Sequence, residues 1–512
     1  MKEFSIPENI VDISRKLEDE GFQTFLVGGC VRDIIMGKKP KDWDFTTDAN
    51  PEEIMALFPK NFYNNKYGTV TVVSENTTDE SLKNVEITPF RVESGYSDKR
   101  HPDKIIFAKN IEDDLKRRDL TINAIAYSIT KRQFIDPHKG QNDIKDKTIR
   151  AVGEAKDRFE EDALRMLRAI RLATELDFTI DSKTLEAIGN SSKLIKEIAI
   201  ERVRDEFNRI ILSDNPKHGV ELLEKSSLLA HIIPELREGV GVEQNQAHAY
   251  SVFEHNLRCI QHAANRKWSF HVRLSALFHD IAKPHTRLWR KEKKDWTFYG
   301  HDVVGAKITR QIMTRLKYPK ENIDMVSKFV RYHLFFSDVD KITMSAVRRL
   351  VRNVGREHVW ELMNLRACDR IGTGRPKEAP YRLRKYESMI EEAMRDPISV
   401  SMLNTDGKAI MRVTKLEPGP KIGFILHALL DEVLDDPSIN KAEYFEKRAV
   451  ELSKLAAPWT GLALASRDWF TTGTSALRFT GQTWLESDSS CSLGNAARDS
   501  YFYSVFIFEA SE

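Results

Sequence analysis

Two aspartates separated by a single residue follow a pair of glycines by 13 residues in the stretch LVGGCVRDIIMGKKPKDWDF. On a strand, Asp42 and Asp44 would point to the same face, because side chains alternate with a period of two. Two carboxylates on a rigid strand supply the hard oxygen ligands that Mg²⁺ needs to bind a triphosphate and activate an attacking hydroxyl. Gly28 and Gly29 lie between a strand and a helix start, where the backbone can approach a phosphate, and Arg32 follows one turn later. Each feature alone is common in solvated strand ends and turns, whereas the combination predicts a Mg²⁺–triphosphate site.

A second set of chemically capable residues occupies the helix-prone run EEDALRMLRAIR. Steps of three residues turn by about 60° on a helix, so four side chains would spread over one half of its surface: Asp162, Arg165, Arg168 and Arg171. Cytosine and adenine both present an exocyclic amine beside a ring nitrogen that accepts a hydrogen bond. Asp162 can accept from that amine and Arg165 can donate to the acceptor. Uracil and guanine present a carbonyl there instead, so the pair predicts selection of C and A.

Histidines and aspartates form a third set within the helical part of the chain. Their order is His255, His279–Asp280, His301, His333 and Asp369. A lone His–Asp pair is more often structural. The complete series supplies imidazole and carboxylate ligands from several helices, which is typical of a metal site in a bundle. The apolar run LSALF before His279 predicts that the His–Asp pair is buried, where an unpaired aspartate would be costly.

The elements that must position these residues change in kind near residue 150. Strand patterns occur in FQTFLVGG, KDWDFTTD, YGTVTVVSE and NVEITPFRVE, which predicts a small mixed α/β domain over residues 5–150. Glu86, on the last of these strands, is a weaker candidate for a third carboxylate. From about residue 151 to 456 amphipathic helical patterns dominate, and Gly and Pro indicate a boundary near residues 372–380. The predicted fold class is α+β, with a mixed α/β head followed by an all-α region.

Composition restricts the protein class. The chain has 512 residues, 41% hydrophobic and 30% charged, which predicts a soluble multidomain globular protein. A net charge of +2 means that a nucleic acid would have to be bound by local basic patches. The four cysteines are isolated, and neither a signal sequence nor a membrane span is recognisable, so we expect a cytoplasmic protein with no membrane partner. The segment 457–512 has no lysine and is assigned no function.

Five segments in fixed order resemble the motif series of class II tRNA nucleotidyltransferases, the CCA-adding enzymes and bacterial poly(A) polymerases. The segments are GGCVRD, KDWDF, RRDLTINAIAYS, EDALRMLRAIRLA and ERVRDEFNRII, and the likeness extends over roughly residues 22–456. The resemblance implies a polymerase-β-like nucleotidyltransferase head over 1–150. It further predicts a nucleotide-selecting neck over 151–225, an HD phosphohydrolase-like domain over 226–380, a C-terminal RNA-contacting helical domain over 381–456 and the tail over 457–512.

The resemblance also implies roles for individual residues. Asp42 and Asp44 would be catalytic ligands of Mg²⁺. The nucleotide would be bound by Gly29, Arg32, Arg118, Asp162, Arg165, Arg168 and Arg171, with Asp119 as a candidate for reading the ribose. A divalent metal whose identity the sequence leaves open would be held in the HD domain by His255, His279, Asp280 and Asp369. His301 and His333 would hold a second ion, and a metal-bound water would attack a phosphoester.

The expected activity is template-independent addition of C, C and A from CTP and ATP to the 3′ end of tRNA, with an HD phosphohydrolase activity. The charged, Gly- and Ser-containing segment 90–119 resembles the flexible loop of full CCA-adding members and favours that subtype. Within the family, a bacterial poly(A) polymerase remains an alternative. A protein uridylyltransferase would use UTP, which Asp162 opposes. A non-catalytic RNA-binding protein is the alternative from another class, although it would be free to lose the ligands retained here.

Overall fold

The computed structural model describes most of the chain up to residue 455. The described ranges are 6–64, 68–74, 77–94, 104–246, 249–334, 341–374 and 378–455. The tail over 457–512 and the centre of the predicted flexible loop, 95–103, therefore lie outside the described residues. The chain forms two compact units, Met1–Val450 and Glu451–Glu512, and residues 451–455 of the second are helical.

A seven-stranded sheet forms the centre of the head, in the order β3-β4-β5-β2-β1-β8-β9. Its strands are β1 (Thr24–Val27), β2 (Trp43–Thr47), β3 (Asn61–Asn64), β4 (Thr69–Val73), β5 (Asn84–Pro89), β8 (Ala126–Ser128) and β9 (Gln133–Ile135); a separate antiparallel pair is β6 (Arg91–Ser94) and β7 (Lys104–Phe107). Within the sheet, β2 and β5 are parallel and the other pairs are antiparallel. The four predicted strand segments are confirmed as β1, β2, β4 and β5.

The burial of apolar strand residues explains why the sheet lies inside the head. All four residues of β1 are buried, and this strand lies inside the sheet between β2 and β8. Phe25 and Val27 of β1 pack with Phe90 and with Leu115 of a short helix. The helices around the sheet are α1 (Glu8–Asp19), α2 (Gly29–Ile35), α3 (Pro51–Leu57), α4 (Glu80–Lys83), α5 (Ile111–Lys116) and α6 (Gly140–Lys145), with a 3₁₀ turn at Thr121–Asn123.

Helices dominate after the head, as the sequence predicts. The neck contains α7 (Ala155–Glu161), α8 (Leu164–Leu176), α9 (Ser182–Ser191), α10 (Ile200–Leu212) and α11 (Pro216–Lys225); α12 (Leu229–Ile232) and α13 (Pro234–Arg237) follow. Two short parallel strands, β10 (Thr148–Ile149) and β11 (Thr179–Ile180), tie the neck to the end of the head. A methyl group at Gly219 of α11 would lie only 2.4 Å from Cγ2 of Ile210, so α11 and α10 are closely packed.

The prediction of one continuous helix through residues 160–171 is wrong at two positions, Asp162 and Ala163. Helix α7 ends at Glu161, and Asp162 is extended, with φ −139° and ψ 105°, before α8 begins at Leu164. The physical reason is a local hydrogen bond, because the Leu164 amide donates to the Asp162 carboxylate at 2.9 Å. Short acidic side chains stabilise helix starts in this way and compete with continuation of the helix.

The HD region is a helical bundle with one hairpin. Its elements are α14 (Val252–Asn265), α15 (Phe270–Phe278), α16 (Lys283–Thr286), β12 (Leu288–Arg290), β13 (Asp295–Thr297), α17 (His301–Arg315), α18 (Lys320–Tyr332), α19 (Met344–Val354) and α20 (Val359–Gly372). Ser251 and Ser269 begin α14 and α15 by accepting a hydrogen bond from a backbone amide three residues later. These caps satisfy amides that a helix start otherwise leaves unpaired.

Four helices complete the described chain: α21 (Tyr381–Ala393), α22 (Gly407–Thr414), α23 (Pro420–Asp435) and α24 (Ala442–Leu455), with 3₁₀ turns at Ser192–Glu197, Val400–Met402 and Pro437–Ile439 elsewhere in the helical part. The predicted domain borders at 150, 225 and 380 fall between elements, and the division into domains stays a prediction. Among the described residues, no helix combines the length and apolar character that crossing a bilayer requires.

Candidate nucleotide and metal sites

The predicted carboxylates of the head lie on neighbouring strands. Asp44 is the second residue of β2, and its partner in the parallel register is Glu86 of β5, so the two side chains share a face of the sheet. Asp42 lies just before β2 rather than within it, which corrects the expectation that one strand carries both aspartates. The structure nevertheless brings Asp42 and Glu86 close enough to Asp44 to affect the ionisation of Asp44.

Burial and the charges of Asp42 and Glu86 raise the pKa of Asp44 to about 7, against an opposing effect of Arg118. A carboxyl group that resists ionisation because other carboxylates surround it is stabilised in its charged form by a cation. Three oxygen-bearing side chains at one edge are a donor set suited to a hard divalent ion. The residues present therefore fit the predicted Mg²⁺.

The glycine pair lies directly against these carboxylates. Gly28 has φ +75°, a conformation that glycine adopts without strain. A methyl group on Gly28 would lie 3.5 Å from Nη1 of Arg118 and 3.6 Å from Oδ2 of Asp44. The same group on Gly29 would lie 3.7 Å from Oδ1 of Asp42 and 3.6 Å from Nη2 of Arg32. Both predicted aspartates and both predicted arginines therefore meet at the glycine turn.

Buried hydrogen bonds orient the two arginines of the head. Arg118 donates from Nε and Nη2 to Asp114, whose carboxylate is fully buried at the end of α5. Burial acts to raise the pKa of Asp114, but Arg118 and Arg117 hold it below its usual value. Arg32 donates to Asp33 and, at 2.8 Å, to Asn123. Asp114 and Asn123 were not singled out from the sequence.

Adjacent residues connect the carboxylates of the head with the arginines of the neck. Arg118 faces Asp44, whereas the next residue, Asp119, accepts a hydrogen bond from Nε of Arg168 at 2.7 Å. Burial acts to raise the pKa of Asp119, but the Arg168 charge and hydrogen bond outweigh it and hold that pKa at about 2. Its second oxygen accepts from the Leu120 amide, so each oxygen of Asp119 has one partner in the protein and keeps a further lone pair, and the ribose-reading role stays a prediction.

Asp162 keeps a polar position at the start of α8. Its Oδ2 accepts a hydrogen bond from Nη2 of Arg202 on α10 at 3.2 Å. The other terminal nitrogen of Arg202 is buried and has no hydrogen-bond partner among the residues that the structure describes. Arg165 is paired with Glu161 at 2.6 Å. Arg202 was not singled out from the sequence, although it lies in the quoted segment ERVRDEFNRII.

Arg171 differs from the other neck arginines. Its side chain is 5% exposed and is paired with Glu206 at 2.6 Å and Glu175 at 2.8 Å. The expected fan of four side chains across one helix surface is therefore wrong, because Asp162 precedes the helix and Arg171 is buried. These pairs place Arg171 in the packing between α8 and α10.

The histidine series of the HD region converges in three dimensions. Nε2 of His255 lies 3.0 Å from Nε2 of His279, 3.2 Å from Oδ2 of Asp280 and 3.4 Å from Oδ1 of Asp369. The other oxygen of Asp280 faces two further imidazoles, at 3.2 Å from His301 and 3.7 Å from His333. Asp280 thus lies between the two groups of ligands that the sequence predicts.

Backbone hydrogen bonds fix which nitrogen of three imidazoles carries the proton. In His279, His301 and His333, Nδ1 lies 2.6 to 3.0 Å from the carbonyl oxygen three residues earlier. A carbonyl only accepts, so Nδ1 donates and Nε2 is the nitrogen that faces the cluster, where its lone pair becomes available when a metal displaces any proton on it. Histidines that bind metals are oriented by such outer contacts. The donor set and its orientation therefore fit divalent or transition metals.

Charged neighbours within this cluster shift the pKa values of several of its members. Burial acts to raise the pKa of Asp280, but His279 and Lys283 hold it well below its usual value. Burial acts to lower the pKa of His279, but Asp280 and Asp369 raise it to about 10. Burial and the neighbouring imidazoles lower the pKa of His333. Lys283, which sequence reasoning missed, lies 2.6 Å from Oδ2 of Asp280 and donates to Gln244.

A cavity of about 1110 Å³ opens beside the cluster. Asp280, His301, His333 and Asp369 form part of its wall, and Trp296 and Tyr299 supply aromatic surface from β13 and the residues after it. Five cationic side chains also line it: Lys283, Lys293, Arg366, Arg370 and Arg382. Four aspartates line the same wall, so the cations exceed the acids by one. A metal ion held by the ligand cluster would add positive charge and suit the cavity to an anionic substrate such as a phosphoester.

Three protein families match successive parts of this chain. Residues 24–150 match the family described as "Poly A polymerase head domain". Residues 177–239 match "Probable RNA and SrmB- binding site of polymerase A". Residues 252–373 match "HD domain", which confirms the predicted HD domain in the region of the histidine series.

The names of two similar proteins agree with these family matches. A CCA-adding enzyme of Lactobacillus delbrueckii subsp. bulgaricus is 44% identical over 206 residues, which are 40% of this chain and 50% of that protein. The chain thus spans about half the length of that relative. An A-adding tRNA nucleotidyltransferase of Deinococcus radiodurans is 32% identical over 416 residues, covering 79% of this chain and 90% of that protein.

A solved structure extends the likeness to the fold. The Bacillus stearothermophilus CCA-adding enzyme in complex with CTP superposes with a TM-score of 0.64 at 25% identity, covering 88% of this chain and 99% of the other. The predicted mixed α/β head followed by a helical region with an HD domain is confirmed. Given these matches and nine-tenths coverage of the Deinococcus relative, the chain belongs to the tRNA nucleotidyltransferase and bacterial poly(A) polymerase family and carries an HD domain.

Proposed function

We propose that this protein adds C, C and A from CTP and ATP to the 3′ end of tRNA. The observation that carries the proposal is the Arg118–Asp119 pair, which brings the carboxylates of the head and the arginines of the neck into one site. The names of the relatives that add CCA or A to tRNA support this activity. Cytoplasmic localisation is part of the same proposal.

In this proposal Asp42 and Asp44 hold Mg²⁺ at the glycine turn. When bound there, the ion lowers the pKa of the tRNA 3′-hydroxyl and neutralises the triphosphate. Arg118 lies beside Asp44 and is held by the buried Asp114, so its guanidinium is oriented before the nucleotide arrives. Gly28 and Gly29 let the triphosphate approach the backbone, and Arg32 supplies a further positive charge at the same turn.

We propose that Asp162 selects the base together with arginines on its two sides. Each carboxylate oxygen of Asp162 accepts one bond in the protein and retains a lone pair for the exocyclic amine of C or A. Arg165 is the predicted donor to the ring nitrogen. The unpaired terminal nitrogen of Arg202, described above, is a second donor beside the same carboxylate. Arg168 contributes charge near the phosphates, and we assign Arg171 a positioning role from its burial.

The direct test is incorporation of labelled CTP or ATP into three RNAs by the full-length protein. The RNAs are a tRNA lacking CCA, a tRNA ending in CC and a linear RNA without tRNA structure. CCA addition predicts that CTP labels the first and ATP the second. The Deinococcus relative makes A-only addition a specific alternative, in which the second tRNA alone is labelled. Long A tracts on all three would indicate a poly(A) polymerase.

A matched pair of variants assigns the activity to the site. Asp44→Asn is expected to reduce incorporation by roughly 10³-fold or more, since it removes a ligand of the ion that activates the hydroxyl. Asp48→Asn is the control, because Asp48 follows the same strand but binds Gln23 away from the glycine turn. Equal activity of the two variants would contradict the proposed site.

We propose a second activity, a phosphohydrolase, for the HD region. One ion would be held by His255, His279, Asp280 and Asp369, and a second by His301, His333 and Asp280. Such ions would supply a metal-bound water as the nucleophile for a phosphoester in the adjoining cavity. The test is metal-dependent hydrolysis of bis(p-nitrophenyl) phosphate and p-nitrophenyl phosphate by the full chain, with loss of at least one of these activities in Asp280→Asn as the expected result.

A further inference from the structure

A buried cysteine lies within the histidine group of the HD region and takes no part in either proposed activity. Cys259 follows His255 by one turn of α14, on the same helix face, and is fully buried. Its Sγ lies 3.6 Å from Nε2 of His255. The ligand atoms of His255, Cys259 and His279 all lie within 4.8 Å of one another. The cysteine is therefore part of a convergent donor set.

The spacings match those of atoms that share one ion. Nitrogen ligands about 2.1 Å from an ion and a sulfur about 2.3 Å from it lie roughly 3 to 3.6 Å apart across an edge of the coordination polyhedron. The two Nε2 atoms of His255 and His279 are 3.0 Å apart, and the sulfur lies 3.6 Å from the first. The third pair, the sulfur and a His279 ring nitrogen, lies within 4.8 Å, so a modest approach of these two atoms would let a single ion contact all three.

The facing helix leaves room for the sulfur at one position. Gly372 of α20 is three residues after Asp369, and a methyl group on it would lie 2.3 Å from Sγ of Cys259 and 3.0 Å from Nδ1 of His255. Any side chain at Gly372 would push the cysteine and the histidine out of their places. The close approach of α20 therefore restricts the cysteine sulfur and the His255 ring to their positions beside Asp369.

We propose that Cys259 is a thiolate ligand of the ion held by His255 and His279, which makes this site select a transition metal such as Zn²⁺, Co²⁺ or Fe²⁺ over Mg²⁺. The inference rests on the proposed HD metal site. Thiolate sulfur favours these metals, whereas Mg²⁺ prefers oxygen ligands. Binding forms a metal–sulfur bond and releases the thiol proton to solvent, so no oxidant or reductant is needed.

The test uses full-length protein that has been stripped of metal and loaded with Co²⁺. Wild type is expected to show the visible d–d bands of bound Co²⁺ together with a near-ultraviolet thiolate-to-Co²⁺ charge-transfer band. Cys259→Ser is expected to keep d–d bands and lose the charge-transfer band, with Co²⁺ affinity weakened roughly 10-fold or more. Cys368→Ser is the matched control, because Cys368 is equally buried in α20 but lies outside the donor set; it is expected to keep both bands.

The outcomes separate this inference from the proposed site. Bound Co²⁺ without a charge-transfer band in wild type would overturn the role of Cys259 and leave the metal site standing. Absence of bound Co²⁺ would overturn both. A band that persists in Cys259→Ser would belong to another cysteine and would also overturn the inference. Should the variant fail to fold, X-ray absorption on Zn²⁺-loaded wild type decides, with a sulfur neighbour at about 2.3 Å expected and its absence contradictory.

Discussion

At the scale of single residues, both candidate centres concentrate ionisable groups within a few ångströms of one another. Asp44 is surrounded by Asp42 and Glu86, and its pKa is raised to about 7. In the HD region, imidazole nitrogens and carboxylate oxygens lie within 3.0 to 3.8 Å of one another, and their opposite charges stabilise each other. The like charges around Asp44 instead cost stability in the empty protein, as is common at binding sites.

The raised pKa of Asp44 predicts a pH-dependent gain in stability for Asp44→Asn when metal is chelated by EDTA. In the unfolded chain Asp44 ionises near pH 4, whereas in the folded protein it ionises only near pH 7. The wild-type protein therefore becomes less stable as the pH rises from about 4 to about 7. The asparagine does not titrate. We expect the variant to be more stable by about 1 to 2 kcal/mol at pH 8, with a smaller gain at pH 5. Thermal unfolding at both pH values measures this, and an equal gain at both would contradict the prediction.

Arg168 and Arg171 are predicted to respond differently to removal. Arg171→Ala leaves Glu206 and Glu175 without their buried partner and is expected to destabilise the protein by about 3 to 5 kcal/mol. Arg168 is 38% exposed and pairs with Asp119, so Arg168→Ala should cost less stability than Arg171→Ala and should raise the KM for the nucleotide. Denaturant unfolding and incorporation kinetics measure the two effects. A stable Arg171→Ala protein with a raised nucleotide KM would instead place Arg171 in the binding site.

At the scale of elements, the sequence predicts the regular patterns and misses local exceptions. The buried strands β1 and β2 were predictable from apolar and β-branched runs between turns. The break at Asp162 was not, because the surrounding residues favour helix and one side-chain hydrogen bond decides the outcome. Arg202 was missed as a site residue because its role depends on the packing of α10 beside α8, which sequence spacing does not determine.

The space around two helical glycines, one in the neck and one in α23, predicts opposite effects when each is changed to alanine. A methyl group on Gly219 of α11 would overlap Ile210 and Thr174, so Gly219→Ala is expected to cost about 1 to 3 kcal/mol. Gly423 of α23 has open space around it, so Gly423→Ala should stabilise by up to about 1 kcal/mol. Denaturant unfolding measures both changes. A neutral Gly219→Ala would show that α11 and α10 are packed less closely than described.

At the scale of the whole molecule, motif order predicted the architecture, while tertiary packing determined the contacts within each site. The series from Asp44 to Asp369 gave the head and the HD domain in the correct order. Lys283 and Cys259 have no motif of their own, and their relevance depends on helices that meet only in the folded chain. A glycine within a helical pattern, as at Gly372, could have been noted from the sequence. The sequence alone does not show that Gly372 faces the sulfur of Cys259.

The two proposed activities should be separable by reciprocal variants. Asp44→Asn is expected to abolish nucleotide incorporation and leave metal-dependent phosphoester hydrolysis within about twofold of wild type. Asp280→Asn is expected to do the reverse, because each aspartate belongs to a different ligand group. Incorporation and p-nitrophenol release are measured on the same preparations. Loss of both activities in either correctly folded variant would contradict two independent centres.

The central claim is that amino-acid side chains, Asp162 above all, choose the base. The most direct measurement is incorporation of each of the four labelled nucleotides into a tRNA lacking CCA by wild type, Asp162→Ala and the control Asp157→Ala, an exposed acid on α7. The account predicts that wild type and control use CTP and exclude UTP and GTP, and that Asp162→Ala loses most of this preference, by roughly 10²-fold or more. Wild-type protein that incorporates UTP and GTP as readily as CTP would contradict it.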